Sequence, residues 1–399
     1  MTSTQPTTRS QPTERTCPFN PPEEYRTIRE EAPVTPATFP DGAKGWMVTS
    51  YEDVRAMLAD PRFGSNRRQL RPGDPAPDDA PLPPPSPGMF IMMDAPEHTR
   101  FRRMLTGQFT VRRMQKLVPV VEQFVAERLA EMESAEGPVD LVQSYALPIP
   151  SLVICELLGV PYEDREDFQR DSAQMLRLDA SREEAQQANQ AMSRYIGKLA
   201  VAKRAHPTDD ILSGLAQAGV LTDEELGGVG ALLLLAGHET TANMIALGTM
   251  CLLNNPDQLA ALRAEPELMD NAVEELLRYL TIIQFGLRRT ALEDVELGGQ
   301  RIEAGSVVVA ALPAGNRDAT HFSGDPETLD VRRPYRPHLA FGHGIHQCIG
   351  QQLARVEMKA ALSALIERFP TLRLAVPADQ VPMRDDMLIY GVHKLPVTW

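Results

Sequence analysis

Apolar positions recur every three or four residues along most of the chain, with charged residues on the opposite side of each repeat. This spacing is typical of amphipathic helices. Ser50 and Thr110 are suitable helix caps directly before two of these segments. The pattern predicts helices over Tyr51–Asp60, Thr110–Glu133, Asp257–Arg263, Leu268–Leu280 and Gln351–Phe369.

One predicted helix is longer than the others and apolar on nearly all sides. Thr222 and Glu225 have the spacing of a capping box, and the pattern continues to Asn255, where Pro256 ends it. About 32 residues at a rise of 1.5 Å give a length of roughly 48 Å. A helix that is apolar all round is normally buried, so this one is expected to run through the centre of the molecule.

Strand signals are few and short. A Gly-Gly pair between apolar flanks predicts a hairpin over Val295–Ile302. Further strand segments are predicted over Ser306–Ala311, Trp46–Thr49 and Met387–Val397. The pattern as a whole therefore predicts a mainly α protein with minor β-sheet.

Composition narrows the class of protein. The 399 residues carry 40 Lys and Arg against 54 Asp and Glu, a net charge of −14, which argues against a general nucleic-acid binder. Four scattered cysteines favour a reducing compartment. The polar N-terminus lacks the apolar core of a signal peptide, and Leu226–Leu253 is interrupted by His238, Glu239 and Asn243. A cytoplasmic, soluble protein is expected.

Two segments fall outside the regular pattern. Residues 1–20 are rich in Thr, Ser, Gln and Pro and are predicted to form a mobile arm, which leaves residues 21–399 as a single domain. The segment Arg71–Gly88 contains too many prolines for a helix or strand, so a long loop is expected there.

The segment Phe341–Gly350 carries the strongest chemical signal. It surrounds Cys348 with three glycines, and a predicted helix follows at Gln351. A helix N-terminus stabilises a thiolate, so Cys348 is a candidate metal ligand or nucleophile. Two alternatives are a zinc site formed by His343, His346 and Cys348, and a hydrolase that uses a histidine as base. The first leaves the glycines unexplained, and the second gives no role to the Glu–Thr pair of the long helix.

The sequence Phe-Gly-His-Gly-Ile-His-Gln-Cys-Ile-Gly, followed by Leu-Ala-Arg, resembles the heme-binding loop of the cytochrome P450 family. Four other segments match motifs of the family in the same order, so the resemblance covers nearly the whole chain from about Pro18 onward. They are Pro96–Arg103, Ala236–Thr241, Glu275–Arg278 and Leu329–Pro334.

The resemblance implies the P450 fold, a triangular prism with a long central helix over heme b. Cys348 would be the axial thiolate ligand of the iron, with Phe341 packed beside it and Ala236 near the heme. The heme propionates would be held by His98, Arg102, Arg289 and His346, with Arg288 as the competing assignment for Arg289. Glu275, Arg278 and Arg333 would form a buried triad that steadies the loop before the cysteine.

Glu239 and Thr240 match the acid–alcohol pair of the family and are the catalytic candidates. A carboxylate can shuttle protons and a hydroxyl can orient water during dioxygen cleavage. The alternative for Thr240 is a hydrogen bond to a carbonyl of its own helix, which is common for Thr.

The expected function is therefore that of a heme-thiolate monooxygenase of the soluble bacterial type, with a place in secondary metabolism. It would hydroxylate or epoxidise a bulky apolar compound, such as a macrolide-like, terpenoid or foreign molecule. Electrons would come from NAD(P)H through a ferredoxin reductase and a ferredoxin, with the enzyme as a monomer. The alternative is a heme-containing sensor or ligand carrier without catalysis, which the intact Glu239–Thr240 pair disfavours.

Overall fold

The computed structural model describes residues 8–65 and 85–399, of a chain that is mostly helical (54% helix) with small sheets. The α-helices are α1 (Glu24–Glu31), α2 (Tyr51–Ala59), α3 (Glu97–Thr106), α4 (Val111–Glu133), α5 (Pro148–Leu158), α6 (Arg165–Leu176), α7 (Arg182–Ala205), α8 (Ile211–Ala218), α9 (Asp223–Leu253), α10 (Pro256–Ala264), α11 (Met269–Leu280), α12 (Leu312–Gly315) and α13 (Gln351–Arg368). The strands are β1 (Arg9–Ser10), β2 (Val34–Thr38), β3 (Lys44–Val48), β4 (Phe63–Gly64), β5 (Val139–Asp140), β6 (Leu287–Ala291), β7 (Val295–Leu297), β8 (Gln300–Ile302), β9 (Val307–Ala310), β10 (Arg373–Leu374) and β11 (Pro396–Thr398).

The predicted helix starts are confirmed by their caps. The hydroxyl oxygens of Ser50, Thr110 and Thr222 each accept a hydrogen bond from a backbone N–H of the first turn. At the start of α9, Glu225 also reaches back to the N–H of Thr222, which completes the capping box. The long helix is therefore where the sequence predicted it.

The chain folds into two compact units. The sheet unit consists of the described residues of Met1–Pro85 together with Ile91–Asp94 and Glu274–Cys348. The helical unit consists of Ser86–Phe90, Ala95–Val273 and Ile349–Trp399. The single domain over residues 21–399 stays a prediction. Each unit is assembled from segments far apart in sequence, so no change of composition marks a boundary.

The sheet unit is built on a six-stranded sheet of order β1-β2-β3-β9-β6-β4. Strand β9 lies parallel to β3 and antiparallel to β6, so it occupies the middle of the sheet. The predicted hairpin is present as β7 and β8, and its turn residues Gly298 and Gly299 both have positive φ. Val34, Val48, Phe63 and Val308 contribute to the buried core under the sheet.

Part of the predicted mobile arm belongs to this sheet. Strand β1 pairs in parallel with β2, and the buried side chain of Gln11 donates hydrogen bonds to the Tyr25 hydroxyl and to the backbone oxygen of Phe285. From Arg9 onward the arm is therefore fixed by ordinary sheet and side-chain bonds. The predicted Pro-rich loop lies for the most part outside the described residues.

The helical unit is organised around α9, which packs against α5, α7 and α13. A small antiparallel sheet of order β10-β11-β5 adds the C-terminal strand to this unit. The buried Tyr145 donates a hydrogen bond from its hydroxyl to the backbone oxygen of Ala361, which ties the segment before α5 to α13. Among the described residues, none of the helices combines the length and hydropathy that crossing a bilayer requires.

Candidate active site

The loop that carries Cys348 is closed by its own backbone. The N–H of Cys348 donates to the carbonyl oxygen of Phe341 at 2.9 Å, and a 3₁₀ turn over Gly344–His346 lies inside this closure. Cys348 is exposed and forms no disulfide, and helix α13 begins three residues later at Gln351. The loop therefore presents an accessible thiol just before a helix N-terminus, where a thiolate is favoured.

Two glycines make this loop shape possible. Gly342 and Gly344 have φ values of 67° and 75°, in the left-handed region that other residues adopt at a cost. A Cβ atom on Gly344 would lie 2.2 Å from the carbonyl oxygen of Leu58, at the end of α2. A Cβ on Gly342 would lie 3.4 Å from the side chain of Leu287, so the loop passes close to the start of β6.

Strand β6 also carries the two arginines considered for the propionate. Arg288 donates from Nη1 to Asp41 Oδ2 at 2.6 Å, so its charge is already paired. Arg289 is 5% exposed, and its recorded hydrogen bond goes to the backbone oxygen of Arg288. Burial lowers the pKa of Arg289 to about 10, which the charge of Asp94 only partly offsets. Among the described residues, no carboxylate lies within ion-pair distance of Arg289.

These features fit a heme. A buried guanidinium with no carboxylate within ion-pair distance needs one, and a heme propionate would supply it. The exposed thiol of Cys348 is the donor that a heme-thiolate site requires. His346 is half-buried in the same loop, and the ring of Phe341 lies 5.8 Å from that of His338.

The zinc alternative is wrong for this loop. No group of three or more His, Cys, Asp or Glu side chains is gathered for a metal ion anywhere in the described ranges. His343 instead accepts a hydrogen bond at Nε2 from Arg55 at 3.4 Å, and burial and the Arg55 charge lower its pKa.

The predicted triad is confirmed. Arg278 makes two hydrogen bonds to the carboxylate of Glu275, at 2.7 and 2.8 Å, and Arg333 makes a third at 3.1 Å. All three side chains are buried, and Arg278 also donates to the carbonyl oxygens of Asn316 and Pro326. The triad therefore cross-links three chain segments of the sheet unit and has no reacting group of its own.

In the helical unit, α3 carries the other two propionate candidates. His98 and Arg102 are four residues apart and so lie on one face of the helix. His98 is buried, with its ring 6.3 Å from that of Phe90, while Arg102 is half-buried.

Helix α9 opens to its surroundings at one place. Between Leu226 and Leu252 every residue is buried except Leu235, Ala236, Gly237 and Thr240, which we call the α9 window. Within it, Thr240 Oγ1 donates to the carbonyl oxygen of Ala236 at 2.8 Å. The hydroxyl hydrogen is thus committed to the helix backbone, as in the alternative considered for Thr240. Its oxygen keeps lone pairs that can accept a hydrogen bond.

Glu239 is buried directly beside the window and has a partner that the sequence did not reveal. Its Oε2 lies 3.0 Å from Nη2 of Arg384, and the Asn243 amide lies 3.5 Å from the same oxygen. Arg384 comes from the C-terminal segment, far along the chain, so no local pattern could have paired the two residues. The sequence around Arg384 gives no such signal, since the two aspartates that follow it are nearer charged partners along the chain.

Glu357 is a second acidic residue that the sequence analysis missed. It lies on the buried face of α13 and is 1% exposed, and burial raises its pKa to about 8. Neither carboxyl oxygen makes a well-formed hydrogen bond, and the nearby Thr241 hydroxyl offsets the effect of burial only in part. The signal available in the sequence was a glutamate among the apolar positions of α13.

The predicted site residues are divided between the two units. Phe341, His346, Cys348 and Arg289 belong to the sheet unit. His98, Arg102, Ala236, Glu239 and Thr240 belong to the helical unit.

Comparisons with known proteins agree with this set of features. The sequence model described as Cytochrome P450 matches residues 176–398. The chain is 48% identical to Cytochrome P450-SU2 of Streptomyces griseolus, over 96% of this chain and 94% of that protein. It is 45% identical to pentalenic acid synthase of Streptomyces avermitilis, over 97% and 96% of the two chains.

The fold gives the same result. The crystal structure of CYP105P1 in complex with filipin I superposes with a TM-score of 0.93, at 46% identity and with 99% of each chain covered. The likeness thus extends over the whole fold as well as the loop, the triad and the central helix. The chain belongs to the cytochrome P450 family and is a monooxygenase that uses heme b.

Proposed function

We propose that this monooxygenase hydroxylates or epoxidises a bulky apolar small molecule, with dioxygen as oxidant and electrons from NAD(P)H. The observation that carries the proposal is the α9 window. A helix that is otherwise buried exposes two aliphatic residues, a glycine and a single hydroxyl beside a buried acid. Such a surface offers an apolar compound contact area and very few orienting hydrogen bonds.

Four aliphatic residues of the helical unit are proposed to face the substrate, and they would suit an apolar compound. Leu232 and Leu235 lie on α9, and Leu388 and Ile389 lie in the C-terminal segment. One relative is a pentalenic acid synthase and another, CYP105P1, forms a complex with filipin I, so related chains handle different compounds. We propose that a secondary metabolite is the natural substrate.

We propose that the Cys348 thiolate would hold the heme through its iron. When bound, heme supplies the iron at which dioxygen is activated, and a thiolate ligand favours cleavage of the O–O bond. Arg289 would bind a propionate through its buried guanidinium, with His98, Arg102 and His346 as further propionate donors. Phe341 would pack beside the sulfur, and Ala236 would let the heme approach α9 closely.

Glu239 and Thr240 are proposed to manage protons. Insertion of one oxygen atom into a C–H bond, with the other leaving as water, consumes two electrons and two protons. Glu239 would carry protons through its carboxylate. Because the Thr240 hydrogen is donated to Ala236, the Thr240 oxygen would act as acceptor and hold a water molecule in place as proton donor.

A ferredoxin, reduced by an NAD(P)H-dependent reductase, is proposed as the electron donor to a monomeric, cytoplasmic enzyme. The helical unit carries a basic patch formed by Arg103, Arg112, Arg113 and Lys116. Arg100 lies on the same helix as Arg103 but is paired with Glu225, so it is not counted in the patch. Such a patch on a protein of net charge −14 would attract an acidic partner.

The test is a compound screen on the purified heme-loaded protein, followed by turnover. Bulky apolar compounds are expected to shift the heme spin state as they displace the iron-bound water, and the best binders should be oxygenated with NAD(P)H, reductase and ferredoxin. A protein that binds such compounds but never oxygenates one would instead be the sensor or carrier.

Thr240→Ala tests the proposed proton role. The variant should bind heme and substrate nearly as the wild type does, but release more of the consumed electrons as peroxide. Thr240→Ser keeps the hydroxyl and is the matched control, expected to retain most of the coupling. If Thr240→Ala forms as much product per NAD(P)H as the wild type, the role assigned to Thr240 is wrong.

A further inference from the structure

Several buried polar atoms of the helical unit lack a hydrogen-bond partner among the described residues, and three of them lie on elements that pack together. These three are Ser172 Oγ on α6, His238 Nε2 on α9 and Arg384 Nε in the C-terminal segment. Buried polar atoms in folded proteins are nearly always hydrogen-bonded, to protein or to an ordered water. Three such atoms on three elements that pack together therefore need a common explanation.

The three elements meet at this place. The ring of Phe168 on α6 lies edge-on to that of His238, with centroids 5.4 Å apart. Ser172 is one turn further along α6 and is also buried. Just beyond it, the carbonyl oxygen of Leu176 accepts the N–H of Leu388 at 2.8 Å, in the segment that carries Arg384. Ser172 thus lies between the contact with His238 and the contact with the Arg384 segment.

The hydrogen-bonding capacities of the three atoms are complementary. His238 Nδ1 lies 2.6 Å from the carbonyl oxygen of Leu234, so Nδ1 carries the ring hydrogen and Nε2 is left as an acceptor. Complete burial lowers the pKa of His238, and the Arg384 charge acts in the same direction against the opposing effect of Glu239. The ring is therefore neutral. Arg384 Nε–H can only donate, and the Ser172 hydroxyl can do either.

A water molecule matches this set. Buried waters typically make about three hydrogen bonds to polar groups that would otherwise be unsatisfied. A water here would donate a hydrogen bond to His238 Nε2 and accept one from Arg384 Nε–H. Its third hydrogen bond would be made with the Ser172 hydroxyl, which can either donate or accept. The neighbouring nitrogen on the same edge of the Arg384 guanidinium, Nη2, is already paired, since it lies 3.0 Å from Glu239 Oε2.

We propose that one buried water joins Ser172, His238 and Arg384, and that His238 is thereby a positioning residue for the Glu239–Arg384 ion pair. Through the water, the neutral imidazole fixes Nε on the same edge of the guanidinium that carries Nη2, so that Arg384 meets the Glu239 carboxylate in a single orientation. The catalytic consequence rests on the proposed role of Glu239 in proton delivery, whereas the water site itself does not.

The first test is a crystal structure of the heme-loaded protein at a resolution that shows ordered waters. A water is expected within about 2.7–3.2 Å of His238 Nε2 and Arg384 Nε. In a crystal structure of His238→Phe, loss of this water together with a shift of the Arg384 side chain away from Glu239 would support the positioning role. Direct contact between the side chains in the wild type, or a dry site, would overturn the proposal.

The second test compares three variants at equal heme content. His238→Phe keeps a ring of similar size but removes the acceptor, and product formed per NAD(P)H should fall about threefold with substrate affinity unchanged. His238→Gln offers an acceptor near the Nε2 position and should restore most of the coupling. Thr249→Val, a buried residue of the same helix that loses its bond to the Ile245 carbonyl oxygen, should leave coupling unchanged.

These measurements separate the two proposals. If the wild type forms no product from any compound, the proposed function fails while the water site can still be observed in the crystal. If the wild type is active and His238→Phe couples equally well, the positioning role of His238 is overturned. Equal losses in His238→Phe and Thr249→Val would also overturn it, since they would reflect a general weakening of α9.

Discussion

Glu357 is a buried acid whose protonation is strongly altered by its surroundings. Burial in α13 raises its pKa to about 8, whereas the same group in the unfolded chain has a pKa near 4.5. Between these values the unfolded chain releases a proton that the folded protein keeps. The free energy of unfolding therefore falls as pH rises from about 4.5 to about 8, and the contribution of this group is constant outside that window.

Glu357→Gln should therefore stabilise the protein increasingly with pH. Since one pKa unit corresponds to about 1.4 kcal/mol, the gain in unfolding free energy should be on the order of 4 kcal/mol by pH 8 and small near pH 5. Thermal unfolding at a series of pH values, at constant heme content, measures it. Glu367→Gln, at an exposed position of the same helix, should show no such trend. A stability difference that does not change with pH would contradict this account of Glu357.

At the level of residues, the sequence indicated which side chains carry functional groups, but not which side chains contact each other in the fold. The choice between Arg288 and Arg289 depends on Asp41, which lies far along the chain and neutralises Arg288. Likewise, the Glu239–Thr240 motif can be read from the sequence, but the hydrogen-bond and ion-pair partners of these two residues cannot. Arg384, in the C-terminal segment, forms an ion pair with Glu239. The hydrogen bond from Thr240 to the Ala236 carbonyl oxygen depends on which rotamer the Thr240 side chain adopts. Only the folded chain determines such contacts.

Among the elements, the cysteine loop depends most strictly on its glycines. Gly344→Ala would place a Cβ 2.2 Å from the Leu58 carbonyl oxygen on a backbone with positive φ, so the loop or the end of α2 must shift. We expect reduced heme content and loss of the thiolate-type band in the reduced carbon monoxide complex. Gly107→Ala is the matched control, because Gly107 has an ordinary φ of −65° and open space around it. A Gly344→Ala protein with a normal spectrum and heme content would contradict the close packing described for this loop.

Elements with a local signal were predictable, and elements stabilised by distant contacts were not. Helices α2, α4 and α9 begin at caps that the sequence displays, and the β7–β8 hairpin has a Gly-Gly turn. Strand β1, in contrast, is two residues long and exists only through its pairing with β2. The sequence could not show that part of a polar, Pro-containing arm would be recruited to a sheet edge.

For the whole molecule, the sequence indicated the family but not the division of the chain. The cysteine loop and Arg289 belong to the sheet unit, while the acid–alcohol pair belongs to the helical unit. The chain passes between the units several times, once between Cys348 and Ile349. Because these segments are interleaved, no linker marks the units in the sequence.

The basic patch should govern electron transfer from an acidic ferredoxin. Replacing the exposed residues Arg103, Arg112 and Lys116 by Glu reverses its charge and should slow the first electron transfer at low ionic strength by about tenfold or more. The wild-type rate should fall as salt is added, and the variant rate should not. A control with the same charge change on α7, Arg182/Arg194/Lys198→Glu, should keep both the rate and its salt dependence. Equal effects of the two triple variants would remove the patch as the docking site.

The central claim is that Cys348 is the thiolate ligand of the heme, and the most direct test is the absorption spectrum of the reduced carbon monoxide complex. The wild type should show the red-shifted band of a thiolate-ligated heme, because the exposed thiol lies just before the N-terminus of α13. Cys348→Ser should lose that band together with all oxygenation, even in preparations that retain heme. Cys17→Ser, in the N-terminal segment, should keep both. A Cys348→Ser protein that retained the red-shifted band would show that another residue is the ligand and would contradict the account.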